Sequence, residues 1–288
     1  RIEVVGDFFD PGAISIEAHN DLYARDKTLN ETYGAITGAG ATSKVRAGYD
    51  PVSGSTGGAN DDFDETVDDN PYKTTVDLGA GAEITPIGEA VLAAGNDATV
   101  YVAPKVKTGG LASAGAIDGE ANIHATNEVT VGAGARISAQ GNLHLLAGRD
   151  ADGTRDRIDM SSVGDEANAS VIPIEHLQSK GEILARNYVT VAGGASLETA
   201  RSANLAAETD PITTIIAKGT GKNWLTAVAG AIDSVFGSDG ISEELNTGTS
   251  NIDVHAGVSV YGDVDVVTNR NQSLVFDAAV VVVGTATT

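Results

Sequence analysis

Two stretches of this chain repeat each other and decide the fold. Residues 129–150 read VTVGAGARISAQGNLHLLAGRD, and residues 76–97 read VDLGAGAEITPIGEAVLAAGND. Aligned without a gap, they are identical at 11 of 22 positions. A weaker copy covers 189–210, and a fourth begins at Val258 and keeps the apolar positions. Chance does not produce this agreement, so the chain is built from an internal repeat.

Apolar residues alternate with other residues along each copy, as in Val129, Val131, Ala135, Ile137, Ala139, Leu143 and Leu145. Alternation at period two predicts strands with one buried face. The strands are short, and Gly or Asn separates them, as tight corners require. Such strands can wind as a coil in which each strand pairs with its equivalent in the next turn. The sequence therefore predicts an all-β parallel β-helix, with three strands and about 20–22 residues per coil.

Composition excludes several functional classes. The 288 residues carry a net charge of −22 and include no Cys and one Met. Without thiols there is no disulfide, Cys-zinc site, iron–sulfur cluster or thiol nucleophile. The acidic balance argues against a nucleic-acid partner, and no apolar window is long enough for a membrane span. Lack of oxidisable Cys and Met is typical of extracellular or cell-surface surroundings.

Spacing between copies predicts the domain organisation. The copies start 53, 60 and 69 residues apart, so each interval exceeds one 22-residue coil. We therefore expect one β-helical segment over 1–288 with an acidic loop insertion at 48–72. Residues 151–178 form an insertion or a degenerate coil, and 211–248 form an insertion.

Two acidic segments have alternative interpretations. Residues 48–72 hold seven acids and no Lys or Arg, which fits either a solvated loop or a calcium site. The calcium candidates are Asp61, Asp62, Asp64, Asp68 and Asp69. Residues 150–156, DADGTRD, are a second calcium candidate or an ordinary Asx turn at a coil corner. Calcium is the one cofactor that the sequence suggests.

One segment departs from the strand pattern. Residues 219–237 place Trp224, Val228, Ile232 and Val235 on one face at helical spacing. The pattern predicts a short amphipathic helix over 222–236. It either covers an apolar stripe on the side of the coil or docks a partner chain.

Catalytic signals are weak. His19, His124, His144 and His255 fall at outward positions of the alternation, which predicts surface residues. No nucleophile-elbow, zinc-protease, phosphate-loop or dinucleotide motif occurs, so we assign no catalytic and no cofactor-binding residue. Carbohydrate-active enzymes on β-helices use carboxylate pairs, and a buried acidic pair with a strongly raised pKa would favour that alternative.

The run from Asn122 to Asp150, with its echoes at 182–210 and 251–276, resembles the repeat of large secreted filamentous-haemagglutinin-like adhesins of Gram-negative bacteria. The resemblance covers chiefly 76–150, 181–210 and 250–283. It implies a right-handed parallel β-helix and transfers no catalytic residue. The Asn-Pro-Asn secretion domain of that family is not found in this sequence, so we expect an internal shaft segment.

The leading hypothesis is a non-catalytic structural role. The chain would be a shaft segment of an extracellular filament or surface adhesin that holds binding regions away from the cell. Its expected partners are itself, by head-to-tail stacking or continuation in a longer chain, and a cell-surface or matrix carbohydrate. The alternative is a polysaccharide lyase-like or glycosidase-like enzyme on the same fold.

Overall fold

The fold is all-β. The structure, a computed structural model, describes residues 1–47, 72–207, 212–223, 239–254, 259–268, 272–276, 281–283 and 286–287. No helix occurs among these residues. The strands are β1 (Ile2–Val4), β2 (Asp7–Asp10), β3 (Ile14–Asp26), β4 (Leu29–Tyr33), β5 (Ile36–Ala47), β6 (Lys73–Leu78), β7 (Glu83–Pro86), β8 (Ala90–Val102), β9 (Lys105–Val131), β10 (Arg136–Ala139), β11 (Leu143–Ala147), β12 (Arg157–Val191), β13 (Ser196–Ala207), β14 (Ile212–Asn223), β15 (Asp239–Val254), β16 (Ser259–Thr268), β17 (Gln272–Phe276), β18 (Val281–Val283) and β19 (Ala286–Thr287).

The strands pair in parallel, and the two strands of a pair lie far apart in the sequence. Val76 of β6 pairs with Val129 of β9, Val129 with Val189 of β12, and Val189 with Ile252 of β15. The repeats therefore lie directly on one another. We term the stretches between these partners layer 1 (1–47 and 72–75), layer 2 (76–128), layer 3 (129–188) and layer 4 (the described residues of 189–251).

The coil period predicted from the repeat is wrong for layers 2 to 4. Partners there lie 53, 60 and 63 positions apart, as the pairs Val76–Val129, Val129–Val189 and Val189–Ile252 show. A spacing of 22 appears among the described strands only at the carboxyl end, where Ile252 pairs with Leu274 of β17, Ser259 with Val281 of β18 and Val264 with Ala286 of β19. The repeat unit is thus part of a layer, and the residues between repeats belong to the same layer.

The fourth copy is also displaced from its predicted start. Val258 was aligned with Val189 by sequence, whereas Val189 pairs with Ile252. Ser196 then pairs with Ser259, and Leu205 with Val266. Alignment by sequence missed the true register. Apolar residues stand at alternate positions on both sides of Ile252, so a shift of six residues fits the apolar pattern equally well.

The repeats enclose the largest apolar cluster, which we term the repeat core. Like side chains stack from layer to layer, as in Ile16–Leu92–Leu145–Leu205. Leu92 and Leu145 are fully buried because a layer covers each of them on both sides. The predicted alternation is confirmed here, since Val129, Val131, Ala135, Ile137, Ala139, Leu143 and Leu145 are all buried.

Between the repeats, layers 2 and 3 each extend as a pair of arms. In layer 2 the chain runs outward over 98–110 and returns over 112–128, and layer 3 follows it residue for residue from Asp165–Lys105 to Val191–Val131, apart from the turn at 111. A second cluster, the arm core, lies between the arms and includes Val100, Val102, Ile123 and Met160. The interval residues therefore add a second packed lobe to the stack.

The strands that the structure describes in layer 1 are covered by described strands on one side only. Among the described residues, β1 to β5 pair with β6 to β9 and with no other strand. Phe9, Tyr23, Tyr33 and Ile36 of this layer are exposed. Layer 1 thus presents an open strand edge with large apolar side chains beside it.

The predicted acidic loop and the predicted helix fall largely outside the described residues, whereas the predicted insertion 211–248 is described over 212–223 and 239–248, where it is strand. The acidic loop 48–72 is described only at Tyr72, and the helix predicted over 222–236 only at Lys222 and Asn223, which end β14 as strand. Residues 157–178 lie in β12, where they pair with β8 and β9 on one side and, over 157–168, with β14 on the other.

Candidate functional site

Buried amides mark the place where the arms leave the repeat core. Asn96 donates through Nδ2 to Asn127 Oδ1 at 2.7 Å, and Asn127 donates through Nδ2 to Asn187 Oδ1 at 2.8 Å. Thr74 donates through Oγ1 to Asn96 Oδ1 at 2.5 Å and accepts from Asn20 Nδ2 at 2.6 Å. These bonds form a polar spine through layers 1 to 3. The spine satisfies amides that would otherwise be costly to bury.

Asp156 ends this spine with a carboxylate. It lies two residues before Ile158, which pairs with Ala98, so it takes in layer 3 the place that Asn96 has in layer 2. Its Oδ2 accepts from Asn127 Nδ2 at 2.7 Å. Its Oδ1 is buried and has no hydrogen-bond partner among the described residues. The residue is 5% exposed.

Burial raises the pKa of Asp156 to about 7, and the charges of Asp97 and Asp150 act in the same direction. The Asn96 backbone and the hydrogen bond that Asn127 donates to Oδ2 oppose this shift in pKa. An uncharged carboxyl is favoured because ionisation would place a charge away from water.

A short hairpin at 149–155, termed the corner hairpin, lies beside Asp156. An antiparallel bridge joins Arg149 to Arg155. The Thr154 backbone donates to Asp152 Oδ1 at 2.8 Å, so the predicted Asx turn is confirmed. Asp150 donates through its backbone N–H to the Thr154 carbonyl at 2.8 Å. The hairpin is therefore held by its own backbone and leaves the Asp150 carboxylate available to face the stack.

The corner hairpin reaches across layer 2 to layer 1. The Ala151 N–H donates to Glu17 Oε1 at 3.2 Å. Asp150 Oδ1 lies 2.9 Å from Nδ1 of His19. Nε2 of the same imidazole lies 3.3 Å from Asp21 Oδ1 and 3.9 Å from Asp97 Oδ2. His19 is thus held between carboxylates on both of its nitrogens.

These contacts shift two further pKa values. Burial disfavours protonation of His19, but the nearby carboxylates of Asp150, Asp21 and Asp97 outweigh it, so the pKa of His19 is raised. Burial also raises the pKa of Asp150, with the charges of Glu17 and Asp97 adding to the effect and His19 opposing it. The site therefore stabilises positive charge.

Gly95 of layer 2 lies directly beneath this group. A Cβ at this position would lie 2.8 Å from Asp156 Oδ1, 3.1 Å from Asp150 Oδ1 and 3.1 Å from His19 Nδ1. The three atoms therefore converge on the space that a side chain would occupy. Any other residue would displace them.

Part of this site is predicted by the sequence. The pattern at 150–156 marks the segment whose Asp150 and Asp156 the structure brings close to His19. No sequence signal marks Glu17, and the alternation predicts His19 and His124 to be surface residues. The prediction for His124 is wrong because it is 5% exposed, and burial lowers its pKa to about 4, with the charge of Arg186 adding to the shift.

The other predicted positions fall elsewhere. His144 Nε2 lies 2.8 Å from Glu89 Oε1 on the outside of the repeat core. His255 and the calcium candidates Asp61, Asp62, Asp64, Asp68 and Asp69 lie outside the described residues.

No protein family, characterised protein or solved structure matches the chain. The resemblance to filamentous-haemagglutinin-like adhesins therefore stays a hypothesis. Within the described ranges, no helix is long and apolar enough to cross a membrane.

Proposed function

We propose that the chain is a non-catalytic shaft segment of an extracellular filament or surface adhesin, folded as a right-handed parallel β-helix. The observation that carries this proposal is the in-register stacking of repeats, with Leu92, Leu145 and Leu205 one above another. A stack of this kind gains length by adding layers, each burying its apolar face against the last. Extension is the property that a shaft needs.

The open edge of layer 1 supports axial association. Within the described part of the chain, β1 to β5 pair on one side only, and large apolar residues stand beside the other side. A further layer, from a longer chain or a second copy, would pair with these strands and cover those side chains. The net charge of −22 opposes lateral clumping, which leaves end-to-end growth as the favoured mode. Distal regions would then contact cell-surface or matrix carbohydrate.

Electron microscopy and sedimentation across a concentration series test this proposal. We expect end-to-end oligomers that dissociate on dilution. Tyr33→Lys with Ile36→Lys, which charges the open edge, should shift the chain toward monomer. Leu111→Lys, an equally exposed apolar position at the arm turn of layer 2, is the matched control and should leave the oligomers intact. A wild-type chain that stays monomeric at every concentration overturns axial association.

A second candidate, a carbohydrate-active enzyme, is favoured by one observation. Asp150 and Asp156 lie close together with raised pKa values, as acid catalysts often do. The buried Oδ1 of Asp156 argues against this role, because an acid catalyst must reach the leaving oxygen. A screen of acidic and neutral polysaccharides for cleavage decides the matter. Cleavage that Asp150→Asn abolishes would establish enzymatic activity. If no polysaccharide is cleaved, the structural shaft role is retained.

A further inference from the structure

We propose that Glu17, His19 and Asp150 bind one divalent metal ion, which fastens the corner hairpin of layer 3 to layer 1. This goes beyond the shaft role, since the ion would link layers that have no backbone pairing with each other. The ligand atoms would be His19 Nδ1 and one carboxylate oxygen from each acid.

The spacing of these atoms fits a metal ion. Ligand atoms of Glu17, His19 and Asp150 all lie within 4.8 Å of one another. Asp150 Oδ1 and His19 Nδ1 are 2.9 Å apart. Two ligands about 2.1 Å from one ion and at right angles are about 3.0 Å apart. The pair is therefore already spaced as neighbouring ligands of a single ion.

Asp156 provides an independent indication. Its side chain is buried and held through Oδ2 by Asn127, while the buried Oδ1 has no partner among the described residues. That oxygen lies beside the group, since it, Asp150 Oδ1 and His19 Nδ1 are the three atoms nearest to a Cβ placed on Gly95. A buried carboxylate oxygen without a donor is costly unless positive charge lies near it. A cation bound by Glu17, His19 and Asp150 would place positive charge beside it.

The second nitrogen of His19 is arranged as metal-ligating histidines require. Its Nε2 faces Asp21 Oδ1 at 3.3 Å, so an Nε2–H would donate to a carboxylate while Nδ1 carries the lone pair. A carboxylate on the far nitrogen fixes the tautomer and makes the imidazole a stronger ligand. Asp21 is therefore a positioning residue.

The donor set indicates which ion is preferred. One imidazole nitrogen with carboxylate oxygens suits Zn²⁺ and Mn²⁺ better than Ca²⁺, which favours oxygen ligands alone. Mutual repulsion of Glu17 and Asp150 also favours a doubly charged occupant. We expect Zn²⁺ to bind most tightly, Mn²⁺ next and Ca²⁺ least.

Electron paramagnetic resonance of Mn²⁺ tests the proposal on the full chain. We expect one tight Mn²⁺ site per chain, displaced by Zn²⁺ at lower concentration than by Ca²⁺. His19→Gln and Asp150→Asn should each weaken that site at least tenfold. The matched control is Asp152→Asn, which removes the same charge from the same hairpin but keeps the Asx acceptor for Thr154. It should bind Mn²⁺ within about twofold of wild type, as expected for a charge outside the ligand set.

Thermal unfolding gives a second readout. Zn²⁺ should raise the melting temperature of wild type and of Asp152→Asn, and leave that of His19→Gln unchanged. Circular dichroism of each variant without metal confirms that it is folded. The proposal is overturned if wild type lacks a tight site, if the site persists in both His19→Gln and Asp150→Asn, or if Asp152→Asn loses it equally.

Discussion

The repeat core and the polar corner differ in how the layers relate to one another. In the repeat core each layer places a similar apolar side chain at the same point, as at Leu92, Leu145 and Leu205. At the corner the equivalent positions change from Asn20 to Asn96 to Asp156. Uniform stacking stabilises the fold, whereas a change of residue from layer to layer brings different functional groups to one place.

The largest expected effect lies within one stack of the repeat core. Leu145→Ala should reduce the free energy of unfolding by roughly 3–4 kcal/mol, because layers on both sides prevent the cavity from collapsing. Ile16→Ala, in the same stack but in the half-buried layer 1, should cost about 1 kcal/mol. Urea denaturation of both variants measures the difference. Equal losses would mean that layer 1 is covered in solution.

At the corner, Asn127→Ala should reduce the free energy of unfolding by about 2–3 kcal/mol. The buried side chains of Asn96, Asn187 and Asp156 would each lose the hydrogen bond that Asn127 makes with them. Asn30→Ala is the control, since its 2.9 Å bond to the Gly40 carbonyl is exposed to water and should contribute under about 1 kcal/mol. Denaturation of both variants in chelator keeps metal out of the comparison. Similar losses in the two variants would show that a buried hydrogen bond of the spine contributes no more to the free energy of unfolding than an exposed one.

The two regions also differ in how far the sequence predicts them. Alternation and repetition identified the buried residues of the repeat core, such as Val129 and Ile137, because one side chain in two must face inward. The length of a layer could not be read in the same way. Outside 122–128 the arms pair without resembling each other, as where Lys105 pairs with Asp165, so they leave no repeat in that part of the sequence.

The corner depends on contacts that no local pattern reports. Glu17 and Ala151 meet although 134 positions separate them. One signal was present in the spacing. Ala94 pairs with Ala147 and Ala98 pairs with Ile158, yet the two positions are four residues apart in layer 2 and eleven apart in layer 3. That excess is the corner hairpin. It becomes visible only when the register on both sides is known.

Backbone packing gives a third comparison, between the covered layers and the open one. A Cβ on Gly141 would lie 2.8 Å from the backbone carbon and oxygen of Gly88, so Gly141→Ala should cost about 2 kcal/mol through overpacking. A Cβ on Gly38, in layer 1, would meet nothing within 4 Å, so Gly38→Ala should change stability by under about 0.5 kcal/mol. Melting temperatures of the two variants measure the contrast. A neutral Gly141→Ala would show that the layers can separate locally.

The smallest expected effect is the pH dependence contributed by His124. Burial lowers its pKa from 6.5 to about 4 in the folded chain. The unfolded chain therefore takes up a proton first as pH falls, so stability decreases from about pH 6.5 down to about pH 4 and is unaffected by this group above that window. At pH 5.5 the loss relative to pH 7.5 should be about 1 kcal/mol. His124→Gln lacks this titration, while the carboxylates titrate in both proteins and cancel in the difference. Urea denaturation at the two pH values should show wild type losing about 1 kcal/mol more than the variant. If the difference in free energy of unfolding between wild type and His124→Gln does not change with pH, the imidazole is hydrated in the folded state and burial does not lower its pKa.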